Sequence, residues 1–229
     1  AEVRMNPNRL EVSRLNVLSG MNEVKADLAG WYAIDSTKSI ENLNGKIKAD
    51  VQIHPKDIAY FLSDSVMNYF NNWDSTTLIA EGSYITGKGE ISQLMLQSGN
   101  SRLQAQGIIH DAWNKDKINW KDIEISASVD AAFTSMLTPF LNTLNLPSQL
   151  SVQLASSGSI KEASVNGKII SPWGNLLVNG LVSQPPGNVG FNLTLTGEHL
   201  DAGKWMDLPW IGPVDLVVKA KGKAGDDTD

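Results

Sequence analysis

Apolar positions in this chain follow two different periods, and the places where one gives way to the other organise the rest. In Val51-Gln52-Ile53-His54-Pro55-Lys56-Asp57-Ile58-Ala59-Tyr60-Phe61-Leu62, alternating apolar residues change to a short helical pattern opened by proline. Alternation places every second side chain on one face of a strand, and the i, i+3, i+4 spacing does the same for a helix, so the segment predicts a strand running into a brief helix. Pro55 is tolerated in the first helical turn because its missing N–H would have no partner there. The switch recurs where Ile123, Ile125, Ala127 and Val129 alternate before Asp130 and Ala131–Leu137. It recurs again where Phe191, Leu193 and Leu195 lead to Leu200-Asp201-Ala202-Gly203-Lys204-Trp205-Met206.

Between the junctions the chain reads as short strands separated by turn residues, the signature of an all-β architecture. Strands are expected at Leu10–Leu18, Val24–Leu28, Trp31–Ile34, Ile47–Ile53, Leu78–Gly82, Ile91–Leu96, Leu103–Ile109, Trp120–Val129, Val152–Leu154, Val165–Ile169, Leu176–Gly180, Val189–Leu195 and Val214–Val218. The second junction helix is expected over residues 131–146, broken or kinked at Pro139. Asp57 and Asp130 lie 73 residues apart, Asp130 and Asp201 71, Gly30 and Gly107 77, and Gly107 and Gly180 73. Two independent landmarks thus give one period, with about four strands and one short helix per repeat. The expected units are 1–70 (partial), 71–146, 147–207 and 208–229 (partial). Units that bury their faces against neighbours along a chain build elongated structures.

Charge and composition narrow the function. A net charge of -6 with 19 Lys and Arg, never clustered, argues against nucleic acid. Lys219, Lys221 and Lys223 alternate along a strand and read as its solvated face. There is no cysteine, which excludes disulfides and thiolate metal sites and fits an oxidising compartment. His54, His110 and His199 have no metal-binding spacing, and no nucleophile elbow or phosphate-binding glycine loop is present, so neither an enzyme nor a cofactor is expected. Asp111, Asp116, Asp122 and Glu124 are the carboxylates that a glycosidase reading would pair, but Asp122 and Glu124 share one strand face and are expected in solvent. No apolar run reaches the ~18 residues of a membrane-spanning helix, and the ends of the chain read as cuts from a longer protein.

The strands Leu103-Gln104-Ala105-Gln106-Gly107 and Leu176-Leu177-Val178-Asn179-Gly180, the junction His199–Met206 and the phrase Leu208-Pro209-Trp210-Ile211-Gly212-Pro213-Val214-Asp215-Leu216 together resemble the AsmA-like superfamily. Within it, they are most similar to the middle repeat region of TamB-type translocation and assembly proteins. The resemblance implies an elongated, curled antiparallel sheet, a β-groove or β-taco with an apolar concave side and short helices at unit junctions. It implies a periplasmic location with an inner-membrane anchor outside this chain, and a role in outer-membrane protein assembly or phospholipid movement between the two membranes. An outer-membrane assembly partner would be met through parts of the protein beyond these residues.

On that reading the partners are phospholipid acyl chains or hydrophobic client strands. The candidate groove lining is Ile123, Ile125, Ala127, Val129, Leu176, Val178, Phe191, Leu193 and Leu195, whose bland alternative is ordinary core beneath the junction helices. Two other readings compete: a chaperone-like module that pairs its sheet edges with unfolded outer-membrane strands, and a carbohydrate-binding β-sandwich in which Trp113, Trp120 and Trp173 form one platform.

Overall fold

The structure, a computed structural model, describes residues 1–32, 43–54, 75–114, 116–131, 133–134, 145–183 and 189–224. The chain divides into two compact units, Ala1–Ile118 and Asn119–Asp229. Each unit is an open, curled antiparallel sheet. In unit 1 the strands are β1 (Glu2–Asn6), β2 (Arg9–Ser19), β3 (Asn22–Tyr32), β4 (Leu43–Ile53), β5 (Thr76–Ile85), β6 (Lys88–Ser98) and β7 (Ser101–His110), each paired with its neighbour in sequence. In unit 2 they are β8 (Asn119–Val129), β9 (Leu150–Ser159), β10 (Glu162–Ser171), β11 (Gly174–Ser183), β12 (Val189–Asp201) and β13 (Pro213–Ala224), paired in the same way.

Tight turns explain the meander. Ile85 pairs with Lys88 across Thr86 and Gly87, both at positive φ (51° and 80°), the primed hairpin geometry that matches strand twist. The β4, β8 and β12 strands each precede one of the three sequence junctions, so β5–β8 and β9–β12 are two successive four-strand sets. At two junctions the aspartate opens a helical turn. The Asp130 carboxylate accepts the Phe133 amide at 3.2 Å, and its carbonyl accepts the Thr134 amide at 2.9 Å. The Asp201 carboxylate accepts the Lys204 amide at 3.1 Å and caps α1 (Ala202–Met206). A hydrogen bond from the Lys204 side chain, reinforced by that amide, holds the Asp201 carboxyl below its ordinary pKa. The Asp57 junction and residues 135–144, including Pro139, lie outside the described residues.

Two boundaries differ from expectation. Trp31 and Tyr32 extend β3 instead of opening a new strand, because the chain continues straight past Gly30 in register with Gly45, Asn44 and Leu43. The short β1, with no alternation strong enough to mark it, pairs along β2 from Glu2↔Ser13 to Asn6↔Arg9.

Bulges interrupt the alternation. In β2, Val12 and Leu15 oppose Leu28 and Ala26; in β8, Trp120 and Ile123 oppose Gly158 and Ser156; in β12, Gly197 and Leu200 oppose Leu216 and Val214. Each of these three bulges carries one residue in the left-handed region: Arg14 (φ 52°), Asp122 (φ 50°) and His199 (φ 49°). In every case its amide donates to a side-chain oxygen of the next strand: the Asp27 carboxylate at 2.7 Å, the Ser157 hydroxyl at 2.9 Å and the Asp215 carboxylate at 2.6 Å. An extra residue bends the strand and raises its local twist, which is how a sheet curls.

Candidate functional site

Residues directly opposite one another in an antiparallel ladder share a face, so the registers define rows that cross the strands. In unit 2, four adjoining rows occupy one face: Trp120-Gly158-Ala163-Val182-Phe191-Gly222, then Ile123-Ser156-Val165-Gly180-Leu193-Ala220, then Ile125-Leu154-Gly167-Val178-Leu195-Val218, then Ala127-Val152-Ile169-Leu176-Gly197-Leu216. Ser156 is the one polar residue among these twenty-four positions, and its hydroxyl is taken by the Trp120 indole N–H at 2.9 Å. The intervening residues read Glu124-Ala155-Asn166-Asn179-Thr194-Lys219 and so present a polar face.

All nine sequence candidates lie on the apolar face. Phe191 stands in the first row, Ile123 and Leu193 in the second, Ile125, Val178 and Leu195 in the third, Ala127 and Leu176 in the fourth, and Val129 beyond it opposite Leu150. Val129 is buried at 7% exposure, whereas Leu154 at 36% and Val218 at 45% on the same face are open. The face also contains residues outside the candidate set, notably Val152, Leu154, Val165, Ile169, Val182, Leu216 and Val218. Their alternation carried the same signal over shorter runs.

Unit 1 has an equivalent face outside the candidate set. Its rows are Leu10-Gly30-Gly45-Tyr84-Gly89-Ile109, Val12-Leu28-Ile47-Gly82-Ile91-Gly107, Leu15-Ala26-Ala49-Ala80-Leu94-Ala105 and Val17-Val24-Val51-Leu78-Leu96-Leu103. The first two rows wall an apolar cavity of about 590 Å³ that touches all of the strands from β2 to β7. Leu10, Val17, Leu28 and Ile47 on it are 39–49% exposed. The other face holds a polar cleft of about 700 Å³ where cations and carboxylates pair, among them Arg14–Glu2 at 2.9 Å, Arg9–Glu11 at 3.1 Å and Lys48–Glu81 at 3.5 Å. Exposed pairs of this kind contribute little stability, and mark a solvated surface.

The remaining candidates are scattered. His54 directly follows β4, His110 ends β7, and His199 sits on the β12 bulge. Asp122 is likewise a bulge residue, and Glu124 belongs to the polar face. In unit 1, Trp113 packs edge-on against Tyr84 with ring centroids 6.1 Å apart. In unit 2, Trp120 opposes Gly158 at the Ala163 end of β10, while Trp173 lies in the turn after Ser171, packed at 5.9 Å against Trp205. Eight residues of extended strand, roughly 27 Å at 3.4 Å each, separate those ends, so Trp120 and Trp173 form no common sugar platform. No family model, curated protein or solved structure matches this chain.

Proposed function

We propose that the chain is a non-enzymatic segment of a cell-envelope scaffold of the AsmA-like kind, whose apolar sheet faces hold the acyl chains of phospholipids as they pass between two membranes. The observation that carries this reading is the continuity of the apolar rows, which cross six strands of each unit without a charge. Each methylene kept from water on such a face contributes ~0.8 kcal/mol, and rows of similar aliphatic residues keep that contribution nearly constant from strand to strand. Head groups stay wet while chains move sideways, which gives an almost level path. A periplasmic location and an assembly partner elsewhere in a longer protein belong to this proposal.

The test is to purify the protein from a diderm host and analyse its bound lipid by mass spectrometry. Phospholipid recovered in molar proportion to protein supports the reading, whereas protein free of extractable lipid that also fails to bind added phospholipid sinks it.

A further inference from the structure

Resting on the lipid reading above, we infer that each bound chain in unit 2 lies along the strands with a fixed polarity: its polar head leaves at the row of Trp120 and Phe191, and its methyl end points toward the row of Ala127 and Leu176. Three observations agree on that direction. The first is the placement of aromatic rings. The two aromatic side chains within the four rows both stand in the outermost row, each opposite a glycine, Trp120↔Gly158 and Phe191↔Gly222. A Cβ on Gly222 would meet the Phe191 ring, so the ring lies across the glycine, and the Trp120 indole reaches along β9 to Ser156. An amphipathic indole at the border between an apolar surface and water, as Trp120 is, marks where an amphiphile changes from chain to head.

The second is closure of the opposite end. The helical turn at Asp130 and helix α1 both follow strands that finish there. Val129, Thr134, Pro147 and Ala202 are buried at that end, and the Asn145 amide donates to the Trp205 carbonyl at 2.9 Å, tying the approach to β9 onto α1. The third is charge. Among the described residues the closed end carries Asp130, Glu198, Asp201, Asp207 and Asp215 against Lys204 alone, an excess that repels a phosphate, while the open end carries Lys121, Lys161 and Lys221 against Asp122 and Glu162. Depth fits as well. Phe191 to Gly197 spans six residues, roughly 20 Å of strand, against roughly 15 Å for one leaflet of a ~30 Å hydrocarbon core.

The absence of cysteine permits a direct test. Single variants Val182→Cys in the outermost row and Ile169→Cys in the innermost, each labelled with bimane, are mixed with phosphatidylcholine bearing a nitroxide on its head group or at its acyl methyl end. Head-group nitroxide should quench the label at 182 more than at 169, and methyl-end nitroxide should do the reverse. Equal or inverted quenching overturns the polarity and leaves lipid binding intact; quenching by neither lipid overturns the lipid reading itself. Should a label disturb the face, the intrinsic fluorescence of the unlabelled protein and of Trp120→Phe decides the same question. The head-group nitroxide must then remove the share of emission that Trp120→Phe lacks, and loss of that share to the methyl-end nitroxide instead overturns the polarity.

Discussion

Gly158 shows how much of this sheet depends on a missing side chain. It sits at φ 149° opposite Trp120 on one side and Ala163 on the other. A Cβ there would press on the Glu162 carbonyl oxygen and the Ala163 Cα, both backbone atoms that cannot step aside. Gly180 is held in the same way at φ 159°, against the backbone of Asn192 and Leu193. Side chains rarely adopt such backbone angles, and forcing one costs on the order of 2 kcal/mol before the clash is counted. Gly158→Ala should therefore lower the unfolding free energy obtained from urea denaturation by that amount or more. A variant as stable as the parent would mean that β9 and β10 separate more easily than their pairing suggests. The recurrence of Gly107 and Gly180 was visible in the sequence as a repeat landmark. That Gly180 admits close backbone approach was not, since the partner strand is fixed only by the fold.

At the scale of elements, a mainly β, antiparallel, curled sheet was legible because alternation and turn residues point the same way along most of the chain. The bulges were not recognised, though their trace is present. Leu10, Val12, Leu15 and Val17 share a face although the middle step is three residues, and Trp120, Ile123 and Ile125 repeat the slip. A one-residue slip moves all following side chains to the other face unless a bulge absorbs it, so an i, i+3 step inside an alternating run is the signal to look for. Physically the bulge is held by the bond from the Arg14 amide to the Asp27 carboxylate. Removing that acceptor in Asp27→Ala leaves the amide to water at the sheet surface. The expected cost is about 1 kcal/mol in equilibrium denaturation, with increased hydrogen exchange confined to β2 and β3. Exchange rising equally in β6 and β7 would show that the bulge is not locally secured.

For the molecule as a whole, the two faces of each sheet have different chemistry, and substitutions on neighbouring residues separate them. Val178 and Leu181 both belong to β11, but Val178 lies in the apolar rows between Gly167 and Leu195, whereas Leu181 projects among Ser164 and Asn192 on the polar face at 43% exposure. Sequence alternation assigned Val178 to a lining and could not say whether that lining is open or filled, because this depends on what the sheet packs against. Among the described residues the buried apolar side chains are Met95, Val129, Pro147, Ala163 and Ala202, so most of both faces is not filled by them. On an open face a carboxylate remains partly hydrated, and Val178→Glu should keep the strand signature in circular dichroism while interrupting the apolar path in the third row. Bound phospholipid should then fall severalfold in Val178→Glu and remain at the parent level in Leu181→Glu, read by mass spectrometry of lipid co-purified with each. Equal loss in both variants would trace lipid binding to general stability, and equal retention would remove the apolar face of unit 2 from the lipid path.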